Sequence, residues 1–168
     1  MPVPGWWLRL KLKRCIGKFE QVLKTHPDNW ASMWFLGMIH RRLRDDEKAL
    51  SWFERAYQVN PSQAEVAREG SMCAMNLGRH ETAIALAWRG HQIEPGNSGL
   101  LSNLALAFLL SGRLNDAGKA IKASLDKDPS DKISQTVAAM IEHFQTTNSV
   151  PPQTTPALIV YWKQNRPR

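Results

Sequence analysis

The chain has little of what most catalytic or membrane-spanning proteins need. Its 168 residues include only two cysteines, Cys15 and Cys73, which are too few for a disulfide framework. The five histidines are scattered, and none stands three or four residues from another histidine or a cysteine, as a helical metal site requires. There is no glycine-rich phosphate loop or nucleophile elbow, no apolar stretch of membrane-spanning length and no signal-peptide core. We therefore predict a cytoplasmic protein that is not an enzyme and that uses no cofactor, metal or small-molecule substrate.

The net charge of +7 is concentrated at the two ends of the chain. Residues 1–24 carry six lysines or arginines against one glutamate, and residues 161–168 carry three basic residues and no acidic one. The segment between them has 13 basic and 14 acidic residues, so it is close to neutral. Basic ends can contact RNA or an anionic membrane, but we favour solvated helix faces and expect neither contact.

Four prolines divide the sequence at a fixed period. They are evenly spaced along the chain: Pro27, Pro61, Pro95 and Pro129. A fixed period of roughly 20–50 residues is typical of stacked supersecondary units, none of which can bury its apolar face alone. When the proline is numbered position 32 of its unit, the complete units span 30–63, 64–97 and 98–131.

The residues at equivalent positions predict two helices in each unit. Small residues at positions 20 and 27 would let two helices approach closely, with a larger apolar side chain at position 24 between them; position 20 is Ala49, Ala83 and Ala117. Gly78 and Gly112, both at position 15, predict the end of a first helix. Position 33 offers N-caps for the next unit: Asp28, Ser62 and Ser130.

At these offsets the unit resembles the tetratricopeptide repeat. Unit 30–63 carries the resemblance best, through Leu36-Gly37, Ala49, Phe53, Ala56 and Pro61. The middle unit departs from the pattern, with Gly70-Ser71 in place of Leu-Gly, Ala74 in place of an aromatic residue and Gly90 in place of alanine. The resemblance implies an all-α fold: an α-solenoid of antiparallel helix pairs, wound into a superhelix, whose task is to bind another protein.

The two ends of the chain predict a partial repeat and a cap. Residues 1–29 contain the second helix of an earlier unit, roughly from Leu12 to Lys24, since Phe19 occupies position 24. Either the array is trimmed here, or Trp6-Trp7-Leu8 forms an irregular cap. An apolar stripe predicts a capping helix at 131–145, which closes a repeat domain of 30–145, and 146–168 is predicted to be a linker followed by an apolar and basic tail. The apolar tail segment, 157–162, is expected to dock on the last helix, or in the groove of its own or a neighbouring molecule.

The resemblance also implies a binding surface, because the first helices of such arrays line a concave groove. Carried over by position, the predicted peptide-binding residues are Trp34, Met38, Arg41, Arg42, Arg68, Met72, Met75, Asn76, Ser102, Asn103, Leu106, Leu109 and Leu110. Methionine and leucine form an adaptable apolar band among them, and the three arginines are expected to gather at one end and to grip a carboxylate. The alternative is that several of these side chains are plain core.

A known subclass of the repeat grips a C-terminal carboxylate with lysine at position 5 and asparagine at position 9. Here those places hold Trp34 and Met38, so we predict no such clamp and a partner with apolar anchors instead. The main hypothesis is a non-catalytic adaptor, scaffold or chaperone-like module that binds an apolar or amphipathic peptide segment in its groove. The alternatives are homo-oligomeric assembly through the terminal faces, and RNA or membrane contact through the basic termini.

Overall fold

The computed structural model describes residues 5–166, and within that range the chain consists of helices without strands. The helices are α1 (Trp6–Thr25), α2 (Trp30–Arg42), α3 (Asp46–Val59), α4 (Ala64–Asn76), α5 (His80–Ile93), α6 (Ser98–Leu110), α7 (Leu114–Lys127), α8 (Lys132–Thr147) and α9 (Thr155–Asn165). None of them combines the length and the apolar character that crossing a bilayer requires. The all-α class predicted from the sequence is confirmed.

The helices pack as pairs that recur with the predicted period. α2 packs on α3, α4 on α5 and α6 on α7, and the first helices of the three pairs begin at the evenly spaced residues Trp30, Ala64 and Ser98. Each second helix also packs on the next first helix. In addition α4 contacts α6, and α6 contacts α8. The helices α4, α6 and α8 therefore form one continuous wall, which we call the groove wall.

Left-handed residues end the first helices, as the glycines predicted. Gly78 and Gly112 have φ angles of 70° and 78°. Arg44 stands at the same position of the first unit and also has a positive φ, of 67°. This conformation costs a non-glycine residue roughly 1–2 kcal/mol, so the first unit tolerates strain that the other two avoid.

The N-caps lie one residue later than the sequence predicted. Asn29 and Asp131, at position 34, accept backbone hydrogen bonds from the first turns of α2 and α8. Ser62 and Ser130 do not cap, because their hydroxyl groups donate at 2.7 Å to the side chains of Asn60 and Asp128 within the preceding turn.

Small residues bring the paired helices into close contact. Ala49, Ala83 and Ala117 are completely buried, and Phe53 fills the space between α2 and α3. In the middle unit the departures from the repeat pattern are accommodated: the Ser71 hydroxyl donates to the Ala83 carbonyl at 2.9 Å, across to the second helix.

Cys73 is also completely buried, and burial raises the pKa of its thiol, which leaves it unreactive.

The helix α1 begins earlier than predicted and is packed on one side. Trp6 and Trp7 form its first turn and stay 79% and 53% exposed, so they belong to a regular helix and not to the irregular cap given as an alternative; the sequence from 6 to 25 contains no proline that would interrupt the helix. Phe19 stacks on Phe35 of α2 at 5.1 Å between ring centroids. No residue of α1 is buried, and Met1 to Pro4 lie outside the described residues.

The apolar tail forms an additional helix, α9, that lies against the groove wall. Thr154 caps α9, and beside it the Gln153 carbonyl bonds His80 Nε2 at 2.8 Å, next to the turn after α4. Leu158 is 1% exposed. At the other end, Tyr161 stacks on Phe144 of α8 at 5.2 Å. The tail therefore docks in its own molecule, on the last repeat helix and also towards α4.

Candidate functional site

A pocket of about 540 Å³ opens in the groove wall between α4, α6 and α8. Its apolar lining comes from Met72, Met75, Leu106, Ile133 and Val137. Met72 and Leu106 occupy the same repeat position on neighbouring first helices, which is why they lie side by side, and both remain partly exposed. We call this the groove pocket.

The groove pocket brings together seven of the predicted binding residues. They are Arg68, Met72, Met75, Asn76, Ser102, Asn103 and Leu106. Met75 and Ser102 contribute to its lining although each is almost fully buried. Thr155, the first residue of α9, also lines it, so the docked tail forms part of the pocket.

Polar atoms in this lining lack partners. Ser102 Oγ, Asn103 Nδ2 and Thr155 Oγ1 are buried and have no hydrogen-bond partner among residues 5–166. A buried polar group without a partner costs about 1–3 kcal/mol. A ligand that reached these three atoms would supply the missing hydrogen bonds.

The rim of the groove pocket is acidic. Its carboxylates belong to Glu65, Glu94, Asp128 and Asp131, and its one cationic side chain within the described range is Arg68. Hydrogen bonds from Arg68 lower the pKa of Glu65, and hydrogen bonds from Ser134 lower the pKa of Asp131. Both carboxyl groups are thus ionised at neutral pH, and the rim presents negative charge to an incoming ligand.

Two of the three arginines that were expected to grip a carboxylate are paired within the protein. Arg41 and Arg68 both form ion pairs with Glu69 of α4, which is only 2% exposed, and Arg68 also donates to Glu65 at 2.8 Å. Burial raises the pKa of Glu69, and the two arginines oppose that rise. The guanidinium groups of Arg41 and Arg68 therefore already neutralise a buried carboxylate inside the protein.

Two leucines of the predicted site belong to the core. Leu109 and Leu110 are 0% and 1% exposed, so the prediction that they line the groove is wrong. The first unit shows why Leu109 is buried. Arg41 stands at the same repeat position, and its side chain reaches Glu69 on the neighbouring first helix. Asn76, equivalent to Leu110, bonds Asp46 of the preceding pair at 3.1 Å. Leu109 and Leu110 therefore face neighbouring helices rather than a ligand.

The predicted residues of the first unit lie apart from the groove pocket. Met38, Arg41 and Arg42 line a separate pocket of about 350 Å³ between α1 and α2. Trp34 lines neither of these two pockets; it is half-buried, and its ring contacts Phe35 edge-on at 4.9 Å. The structure thus divides the predicted surface in two.

Sequence reasoning missed the rim carboxylates of the turns because it took the predicted binding residues from first-helix positions only. Glu94 and Asp128 stand at position 31, just after the second helices, and Asp131 stands at position 34, just before α8. These turns meet at one edge of the groove wall. The signal available in the sequence was the recurrence of an acidic side chain at position 31, as Glu94 and Asp128.

The tetratricopeptide repeat family model matches residues 16–64 of the chain. The small glutamine-rich tetratricopeptide repeat-containing protein 2 of Mycosarcoma maydis is 25% identical over 107 residues, which make up 63% of this chain and 30% of that protein. The chain spans only 5–30% of the length of the curated relatives it matches.

Solved structures share the fold at low sequence identity. The crystal structure of MamA is 15% identical, with a TM-score of 0.72 over 89% of this chain and 83% of the other. The crystal structure of YrrB, described as a TPR protein with an unusual peptide-binding site, is 19% identical, with a TM-score of 0.68 over 78% of this chain and 68% of the other. The family match over residues 16–64, together with helix pairs that recur at one fixed period, shows that the chain contains tetratricopeptide repeats.

Proposed function

We propose that this protein is a non-catalytic interaction module that binds an apolar or amphipathic segment of a partner protein in the groove pocket. The observation that carries the proposal is the partly exposed pair Met72 and Leu106 at the centre of a pocket of about 540 Å³. Ligand sites typically have volumes of about 300–1,000 Å³ and a mainly apolar lining with a few polar groups. Repeat proteins of this kind generally mediate protein–protein contacts, and the similarly folded YrrB is described with a peptide-binding site.

The chemistry of the lining supports binding rather than catalysis. Among the described residues, the groove pocket has aliphatic, amide, hydroxyl and carboxylate side chains but no histidine or cysteine. Its one arginine is engaged by Glu65 and Glu69, and Asp131 is held as a helix cap. Groups fixed in this way position a ligand and do not transfer protons at neutral pH.

The test is to place charge on the apolar floor of the groove pocket, by which we mean Met72 and Leu106. Short peptides are selected from a random displayed library on the immobilised full chain, and their affinities are measured by fluorescence polarisation. Met72→Glu combined with Leu106→Glu should weaken binding by about tenfold or more, which corresponds to ~1.4 kcal/mol. A control with the same added charge is Ala85→Glu combined with Gln92→Glu, at exposed positions of α5. If the floor variant stays folded and binds as the wild type does, the groove pocket is not the binding site.

Self-assembly is a second candidate, supported by α1. This helix buries none of its residues and exposes Trp6, Leu10 and Val22 by 79%, 51% and 38%. A second copy could cover this surface. Sedimentation velocity over a wide concentration range should then show association that Leu10→Glu combined with Val22→Glu abolishes, whereas a monomer at every concentration would refute the idea. The tail does not contribute to this surface, since Leu158 is buried within its own molecule.

A further inference from the structure

We propose that the groove pocket selects cationic segments, in which a lysine or arginine follows or precedes an aliphatic anchor. This inference rests on the proposed function and adds the chemistry of the partner. The anchor would occupy the floor at Met72 and Leu106, and the cation would reach the acidic rim at Glu94 and Asp128.

The first support is the unbalanced charge of the rim. Glu94, Asp128 and Asp131 form no ion pair with a lysine or arginine in the part of the chain from 5 to 166. Arg68, the one cation of the lining there, is already paired with Glu65 and Glu69. An anionic ligand would meet repulsion at this rim, and a cationic one would meet attraction that nothing in the described chain already satisfies.

The second support is that the carboxylates retain free acceptor atoms. Glu94 accepts from Asn97 through Oε2 at 3.1 Å, and Asp128 accepts from Ser130 through Oδ1 at 2.7 Å. Glu94 Oε1 and Asp128 Oδ2 accept no hydrogen bond from residues 5–166. A lysine ammonium or arginine guanidinium has only donors, so it matches these atoms.

The third support is independent of charge. Ser102 is 2% exposed, lines the groove pocket, and its hydroxyl has no partner among the described residues; Asn103 Nδ2 beside it is also buried and without a partner. The carbonyl groups of a peptide backbone could accept from both. The pocket therefore offers donors for the backbone of a ligand and acceptors for its side chain.

The apolar lining suits a long cationic side chain as well as the anchor. Ile133 lies on the rim, two residues after Asp131, and is 69% exposed. Lysine and arginine bury their methylene stems against such surface while the charged group reaches polar atoms. Met72 adds an adaptable, polarisable contact.

The experiment compares peptide selection on three full-length proteins: the wild type, Glu94→Gln with Asp128→Asn, and a floor variant without added charge, Met72→Gln with Leu106→Gln. The first substitutions keep an amide oxygen for the Asn97 and Ser130 hydrogen bonds, so the fold should persist, as a thermal melt checks. A control of equal charge change is Glu81→Gln with Glu142→Gln, at exposed positions outside the pocket lining.

Peptides selected on the wild type should be enriched in lysine or arginine beside aliphatic residues. Their affinity should fall about tenfold on Glu94→Gln with Asp128→Asn and become less dependent on salt, and it should not change on the control. Selection of neutral or acidic peptides, or equal affinity for the rim variant, overturns the inference. If the inference is overturned in this way but the selected peptides still lose affinity on the floor variant, the proposed function stands without the preference for cationic segments. If no selected peptide loses affinity on the floor variant, both the proposed function and this inference fail.

Discussion

Replacing Gly37 with alanine should destabilise the protein, because a methyl group there would occupy the space of the Phe53 ring. An ideal Cβ on Gly37 would lie 2.5, 2.7 and 2.9 Å from three carbon atoms of that ring. Carbon atoms in normal contact are about 3.5–4.0 Å apart. Phe53 is 1% exposed and fills the space between α2 and α3, so it has little room to move.

The size of the effect follows from two opposing contributions. Inserting a methyl group into a packed core typically costs about 1–3 kcal/mol, and three close contacts favour the upper end. Alanine is better than glycine in a helix interior by about 1 kcal/mol. We therefore expect a net loss of about 2 kcal/mol in the free energy of unfolding.

Gly118→Ala is the matched control. A Cβ on Gly118 would meet the flexible amide end of Gln145 at 3.4 Å, which is ordinary contact, so the helix preference alone should act and stabilise the protein by about 0.5–1 kcal/mol. Urea unfolding followed by circular dichroism measures both variants against the wild type. Equal stability of the two variants would refute the packing argument. In a Phe53→Leu background the cost of Gly37→Ala should shrink, since the ring is gone.

Two further predictions concern stability at low pH and the docked tail. Burial lowers the pKa of His40 below its ordinary 6.5, so the unfolded chain takes up a proton before the folded one does, and stability falls as the pH drops through 6.5 towards the lower pKa of the folded state. His40→Phe should reduce that fall in thermal melts, and an unchanged pH dependence would contradict the assignment. Leu158→Ala should weaken the docking of α9 by about 2 kcal/mol, seen as roughly 30-fold faster hydrogen exchange in α9, whereas Ile159→Ala, at a position 46% exposed, should have little effect. Equal effects of the two tail variants would show that α9 is not held by Leu158.

The repeat itself was predictable because its signals are local. Evenly spaced prolines, and glycines at position 15, act on the backbone where they stand, so they predicted the helix pairs and the turns without any knowledge of packing. The N-caps lie one residue later than predicted, because the hydroxyls of Ser62 and Ser130 donate hydrogen bonds within the preceding turn. That preference depends on the three-dimensional shape of the turn.

The binding surface was predictable only in part, because its residues come from different units. Met72 and Leu106 were found by their repeat position and do line the groove pocket. The ion pair of Arg41 with Glu69 was not predicted, since it joins two first helices whose relative placement no local pattern states.

The period of the chain by itself determined the architecture of this protein: residues that recur at a constant interval must repeat the same local geometry, and stacking is the one way for such pairs to bury their apolar faces. Only the tertiary structure decided what the groove wall offers. Stacking the units gathers turn carboxylates that are remote in sequence onto one rim, turns two predicted leucines into core, and lays α9 beside the pocket. Charge and burial at such a surface depend on distances between units, which a sequence pattern does not contain.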